Sequence, residues 1–230
     1  MKRVFVIPGI LLFTISSFAQ KDATLRKKDK KRDVLLQTNY GDIIVRLSDS
    51  TPLHRDNFLL LAKTGFYDST LFHRVIQNFM IQGGDPNSKN APGGQPLGNG
   101  GPAKKIPPEF RQTLFHKKGV LAAARNDNPE KASSGSQFYI VAGKVFTDAG
   151  LDSVETYRLK RKIPFAQREV YKTIGGTPHL DQTYTVYGEV VKGMEIVDKI
   201  SIVQTSKGPD RDRPLQERIS KTKLIKRKRY

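Results

Sequence analysis

The chain has 230 residues, of which 37% are hydrophobic and 27% are charged. This length favours one globular domain with short accessories, and the composition argues against wholesale disorder and against a multi-span membrane protein. The chain contains no cysteine, which excludes thiol catalysis and cysteine-based zinc sites.

The N-terminus has the pattern of a signal peptide. Met1-Lys2-Arg3 is followed by a mostly apolar run from Val4 to Ile15 and by the small residues of Ser17-Phe18-Ala19. We predict cleavage after Ala19, hence a signal peptide over residues 1–19 and an exported protein, periplasmic or secreted. The alternative is a retained anchor, but a spanning helix needs roughly 20 apolar residues and Pro8-Gly9 interrupts this run.

The formal net charge is +18, and basic residues concentrate at 21–32 and 221–229. Residues 20–32 are predicted to form a basic linker and residues 226–230 a basic tail. Two interpretations stay open: solvated tails, or weak binding to anionic surfaces. Since no nucleic-acid-binding motif accompanies the charge, no specific nucleic-acid partner is predicted, and we expect a monomer.

The first regular elements follow the basic segment. Residues 33–47 read as a strand, a turn and a second strand. Ser50 or Thr51 suits a helix N-cap, Pro52 suits the first turn, and Gly65 marks the end. Apolar residues recur in this helix at helical spacing: Phe58, Leu61 and Ala62.

Short strand-like runs separated by Gly, Pro, Asn and Asp dominate the rest of the chain. They lie at Leu71–Ile76, Phe79–Gln82, Val120–Ala124, Phe138–Val141, Tyr184–Val191 and Glu217–Ile225. Met194–Ile200 reads as a second short helix. Many short strands and few helices predict a closed β structure, which would remove exposed sheet edges.

Familiar catalytic patterns are missing. The four histidines have no metal-ligand spacing, and Ser133–Ser136 lacks a nucleophile-elbow pattern. The Gly-rich stretch Pro92–Gly101 lacks the ending of a phosphate-binding loop and is predicted to be an irregular surface loop. The sequence therefore predicts no metal and no cofactor.

One segment, FHRVIQNFMIQGGDP, sets Arg74 among apolar strand residues. On composition alone, Arg74 reads as an edge-strand arginine in a surface ion pair. However, the segment closely resembles the signature of the cyclophilins, a family of peptidyl-prolyl isomerases. Other blocks resemble the family in the same order from Val34 to Ile225: GDIIVRL, TPLHRDNFLLLAKTGFYD, GVLAAAR, SSGSQFYIVAG, HLDQTYTVYGEVVKGMEIVDKI and RPLQERISKTKLI.

The resemblance implies a mostly β fold over residues 33–225, a closed eight-stranded antiparallel barrel capped by two α-helices, with its groove on the outer wall. It implies cis/trans isomerisation of X-Pro bonds in Pro-containing polypeptides. The matching catalytic residues are Arg74, Phe79 and Gln82. The matching substrate-binding residues are His73, Met80, Ala124, Arg125, Gln137, Tyr139, Leu180 and Tyr184. The alternative is a non-catalytic module or chaperone that only holds Pro-containing segments.

Three positions depart from the common family pattern. Tyr139 stands where Phe is usual, His179 where Trp or Phe is usual, and Tyr184 where many members carry His, although exported bacterial members often have Tyr there. A buried Tyr139 hydroxyl would need a hydrogen-bond partner. Since Gln137 and Tyr139 share one strand face, Phe138 is predicted to be core.

Residues 147–177 interrupt the family pattern. Leu151–Lys160 is predicted to form one helical arm and a second to start at Pro164 and end at Gly175, with Ala166, Val170 and Ile174 spaced four apart. The alternative is a mobile loop. Because the insertion leads directly into Leu180, our hypothesis places it beside the groove, where it affects substrate selection rather than chemistry.

Overall fold

The computed structural model describes residues 24–214 and 218–230, so the predicted signal peptide lies outside the described residues. Eight strands form one antiparallel sheet in the order β3-β4-β6-β5-β7-β2-β1-β8. They are β1 (Arg32–Thr38), β2 (Gly41–Leu47), β3 (Arg74–Ile76), β4 (Met80–Gly83), β5 (Val120–Ala123), β6 (Phe138–Val141), β7 (Val186–Lys192) and β8 (Ile219–Lys226). The predicted mostly β, eight-stranded antiparallel fold is confirmed, with strand bounds shifted by up to three residues.

The sheet curls into a half-barrel whose end strands are β3 and β8. These two strands do not pair along their length. Only the chain just before β3 meets the start of β8, where Ser69 N–H donates to the Ile219 carbonyl at 2.8 Å and Ile219 N–H donates to that of Thr70 at 2.7 Å. The predicted closed barrel is therefore not confirmed.

Of the four α-helices in the described part of the chain, α1 (Pro52–Thr64) and α4 (Met194–Ser201) pack on the main hydrophobic core. Thr51 is the residue before α1, but its side chain does not cap the helix. The Glu109 carboxylate does so instead, accepting hydrogen bonds from the backbone N–H of Leu53 at 3.2 Å and of His54 at 3.0 Å. Gly65 ends the helix in a left-handed conformation, as its position predicts.

The insertion is helical, as predicted. It comprises α2 (Asp148–Ser153), a π-type turn (Val154–Leu159) and α3 (Phe165–Thr173). Its small core consists of Leu151, Ile163 and Tyr171. The apolar stripe that predicted α3 is not its buried side, because Ala166 and Ile174 are exposed and Val170 is only half-buried.

Part of the basic N-terminal segment is packed rather than free in solvent. Lys30 forms an ion pair with Asp56 of α1 at 2.6 Å, and the buried Asp29 accepts from Lys63 of α1 at 3.2 Å. Leu25 packs against the main core. Among the described residues, no helix is long and apolar enough to cross a membrane.

Candidate active site

Ten of the eleven predicted site residues line one groove of about 360 Å³ on the outer wall of the sheet. Only Gln137 does not, and it lines an adjoining cavity. The ten residues are His73, Arg74, Phe79, Met80, Gln82, Ala124, Arg125, Tyr139, Leu180 and Tyr184. Residues scattered over more than a hundred positions thus meet at one surface.

Strand register explains why the key side chains meet. Arg74 of β3 lies opposite Gln82 of β4, Gln82 lies opposite Tyr139 of β6, and Tyr139 lies opposite Ala122 of β5. Directly opposed residues in antiparallel strands project to the same face of the sheet. Arg74, Gln82 and Tyr139 therefore form one row across the outer wall.

The middle of this wall is an apolar pocket. Met80 and Tyr139 are buried in it, and Phe79 and Leu180 pack against them. The Phe79 ring stacks on the His179 ring, with centroids 5.6 Å apart and planes at 27°. Burial lowers the pKa of His179, which favours the neutral ring in this stack.

The buried Tyr139 hydroxyl has the partner that it needs. It lies 3.0 Å from Nε2 of His116, whose Nδ1 lies 3.0 Å from a carboxylate oxygen of Asp181. The other Asp181 oxygen accepts from the Tyr171 hydroxyl at 2.7 Å. All four side chains are buried, so a continuous polar chain joins the pocket floor to helix α3 of the insertion. The insertion therefore supports the pocket as well as bordering it.

Gln137 has a different environment from the one predicted for a substrate-binding residue. Its side-chain amide donates to the carbonyls of Gly98 and Gly100, both at 2.8 Å. Its amide oxygen accepts from Gln82 at 3.1 Å. Both donors of Gln137 are thus occupied within the protein, and the residue fixes the Gly-rich loop beside Gln82.

His73 is buried at the edge of the groove, and neither ring nitrogen has a hydrogen-bond partner among the described residues. Desolvation lowers its pKa from 6.5 to about 4, against the opposing effect of the Asp85 charge. The ring is therefore neutral at physiological pH. Its edge approaches Gly98, which links it to the loop held by Gln137.

Four arginines line the groove, and three of them interact with neighbouring groups. Arg125 lies over the Tyr184 ring, 4.7 Å from its centroid, and donates to the Thr183 carbonyl at 3.1 Å. Arg211 lies 3.8 Å from the Asp212 carboxylate. The Arg74 side chain is exposed and forms no hydrogen bond or ion pair within the described part of the chain. Its guanidinium donors are available to a ligand.

The fourth groove arginine, Arg213, was not among the site residues predicted from the sequence. It is buried, and its guanidinium donates to the carbonyls of Ala91 at 2.8 Å and of Pro92 at 2.7 Å. In this way it holds the Gly-rich loop, residues 96–98 of which line the groove. A single arginine in a loop carries no local sequence pattern that could have revealed this role.

Residues 24–214 and 218–230 contain no cluster of three or more His, Asp or Glu side chains suited to a metal ion.

An eight-stranded antiparallel sheet with this groove on its outer wall defines a cyclophilin-like protein. Residues 33–224 match the model of the family described as cyclophilin type peptidyl-prolyl cis-trans isomerase/CLD. A peptidyl-prolyl cis-trans isomerase of Arabidopsis thaliana is 34% identical, over 80% of this chain and 89% of the relative. A putative one of Staphylococcus aureus (strain USA300) is 36% identical, over 80% and 86%. The chain belongs to the cyclophilin-type peptidyl-prolyl cis-trans isomerase family.

Some relatives are much longer. The match to a putative bifunctional phosphatase/peptidyl-prolyl cis-trans isomerase of Streptococcus pyogenes, 35% identical, covers 82% of this chain but only 37% of the relative. Among solved structures, a cyclophilin-type isomerase of Cryptosporidium parvum superimposes with a TM-score of 0.60 at 24% identity, over 86% of this chain and 99% of that one. This likeness shows the fold.

The buried hydrogen-bonded series that ends at Tyr171 should contribute to the free energy of unfolding. Tyr171→Phe leaves one buried carboxylate oxygen of Asp181 without its donor, which typically costs about 1–3 kcal/mol. Urea unfolding should show this loss, whereas Tyr157→Phe, a matched change at a side chain 72% exposed in the same insertion, should show none. Equal stability of the two variants would mean that the contact contributes nothing.

His73 predicts a pH dependence of stability. Between its ordinary pKa of 6.5 and the folded value of about 4, the unfolded chain binds a proton that the folded protein does not. Stability therefore falls as the pH decreases through this window. Between pH 7 and pH 5 the wild type should lose about 2 kcal/mol more unfolding free energy than His73→Leu does. Parallel pH profiles in urea unfolding would contradict the assignment.

Proposed function

We propose that this protein is a peptidyl-prolyl cis/trans isomerase that acts on X-Pro bonds of unfolded or folding exported proteins. Family membership supports the reaction, and so do the isomerase names of the relatives. The signal-peptide pattern of residues 1–19 supports the exported setting. In this respect the protein would resemble the exported bacterial members of the family.

The reaction is a rotation about one bond and breaks no covalent bond. Rotation about a peptide C–N bond crosses a barrier of about 18–20 kcal/mol, because resonance gives the bond partial double character. No proton or group is transferred, so a protein accelerates the rotation by binding the twisted amide more tightly than either planar form. The groove residues therefore need only hold and polarise the bound X-Pro bond.

Arg74 is the proposed source of transition-state stabilisation. In the twisted amide the prolyl nitrogen becomes pyramidal and regains a lone pair that can accept a hydrogen bond. A guanidinium remains charged at any relevant pH and offers several directed donors. The observation that carries the proposal is that, within the described residues, Arg74 is the one groove arginine whose side chain has no partner. Its place in one row with Gln82 and Tyr139 directs this free guanidinium toward the groove.

The other groove residues bind and orient the substrate. The apolar pocket of Phe79, Met80, Tyr139 and Leu180 seats the pyrrolidine ring and holds one side of the bond still. Gln82 presents its amide oxygen to the substrate backbone. Ala124 and Arg125 border the residue before proline, and His73 and Tyr184 flank the bound chain. Gln137 acts through Gln82 and the Gly-rich loop.

Arg74→Ala should lower kcat/KM for a Pro-containing tetrapeptide at least tenfold, equivalent to about 1.4 kcal/mol of transition-state stabilisation. Because the side chain is exposed and unpaired, the thermal midpoint should stay unchanged. A protease-coupled assay measures turnover.

Arg74→Lys is the matched control, since it keeps the charge but loses the planar fork of donors, and it should fall between the wild type and Arg74→Ala. Near-normal turnover of a folded Arg74→Ala variant would show that another group supplies the electrostatics. If the wild type binds the peptide without turnover, the chain is a non-catalytic binding module.

A further inference from the structure

A second groove, of about 340 Å³, lies between the insertion and the sheet. Phe79 lines both this groove and the apolar pocket, so the two cavities are neighbours across one aromatic ring. The rest of its lining comes from the turn before β4, from the chain on either side of the insertion, and from the π-type turn. We call it the insertion groove.

The insertion groove is apolar inside. Ile76 and Phe79 supply hydrophobic side chains from the end of β3 and the turn before β4, and Phe146 and Val154 supply them from around the start of the insertion. The insertion contributes Val154 directly, and Phe146 immediately precedes it. A chain without residues 147–177 would therefore lack one side of the groove.

Its charged residues are both cations. Lys144 and Arg158 line the groove, both are exposed, and neither forms an ion pair within the described residues. The Lys144 ammonium lies 5.4 Å from the centroid of the Phe146 ring. Among the residues that the structure describes, no carboxylate lines the groove.

The paired carboxylates of the insertion interact with cations other than Arg158. Arg168 pairs with Asp148, Asp152 and Glu155 at 2.8–3.0 Å. Lys162 pairs with Glu155 at 2.8 Å, and Lys172 pairs with Glu169 at 2.9 Å. The fold thus uses the acidic side chains of the insertion elsewhere and leaves Arg158 and Lys144 without a counter-charge.

We propose that the insertion groove is a substrate subsite that selects acidic polypeptides. It takes an apolar side chain and a neighbouring carboxylate of the same chain whose proline occupies the pocket. The two cavities are separated by one aromatic ring, and an extended chain spans roughly 3.3 Å per residue. The selected residues therefore lie within about three positions of the proline. This inference rests on the proposed function and adds a substrate class to it.

The test compares three peptides with one Ala-Pro core: a tetrapeptide, a longer peptide with Leu-Glu flanks on both sides, and the same peptide with Leu-Lys flanks. Exchange NMR measures cis/trans turnover without a coupling protease. The wild type should turn over the acidic peptide at least fivefold faster, in kcat/KM, than the basic one. This ratio should shrink when the salt concentration rises from 0.05 to 0.5 M, because partly exposed charges are screened.

In the double variant Lys144→Gln/Arg158→Gln the ratio of the two long peptides should fall to near one. The double variant Lys192→Gln/Lys221→Gln removes the same charge from exposed positions that do not line the groove, and it should keep the wild-type ratio. A wild-type ratio near one, or a ratio that survives Lys144→Gln/Arg158→Gln, would overturn the subsite while tetrapeptide turnover still upholds isomerase activity. Absence of tetrapeptide turnover in the wild type would instead overturn the proposed function.

Discussion

The site depends on the two-residue alternation of the three central strands of its wall, β4, β6 and β5. In β6, Phe138 and Ile140 enter the main core, while Tyr139 and Val141 face the outer wall. In β4, Ile81 enters the core and Met80 faces outward. Because side chains alternate strictly along a strand, a slip of one residue would exchange core and groove entirely. The large apolar core therefore fixes the register, and the register fixes the row that joins Arg74, Gln82 and Tyr139.

A second constraint follows from the tyrosine at the pocket floor. A phenylalanine there would need no partner, but the buried Tyr139 hydroxyl requires one, and His116 provides it at 3.0 Å. Through Asp181 this requirement extends to Tyr171, so the pocket floor and the insertion are held by one set of hydrogen bonds. Within the insertion, Tyr171 supports the pocket floor, whereas Arg158 lines the insertion groove. The hypothesis that the insertion affects substrate selection alone therefore does not cover all of its residues. Point substitutions distinguish these contributions better than deletion of the insertion would.

Local patterns predict much of the fold, whereas the candidate site residues were predicted from the resemblance to the cyclophilins. Strand alternation placed Phe138 in the core, and the string around Arg74 located the groove. The supporting contacts could not be predicted, since they join residues far apart in sequence with no periodic signal. Asp181 and His116 are 65 positions apart, Arg213 and Ala91 are 122 apart, and Glu109 caps a helix 55 positions away. The resemblance predicted Gln137 as a substrate-binding residue, but its contacts with the Gly-rich loop could not be predicted, because they form only in the folded chain.

The proposed function requires that this groove isomerises a bound X-Pro bond rather than merely binding it. The most direct measurement is two-dimensional exchange NMR on an Ala-Pro tetrapeptide with a catalytic amount of the wild-type protein. Uncatalysed exchange takes tens of seconds or longer, so no cross-peak between cis and trans signals is expected within about one second without the protein. With the protein, we expect strong cross-peaks at that mixing time. Shifted or broadened peptide signals without exchange cross-peaks would show binding alone and would contradict it.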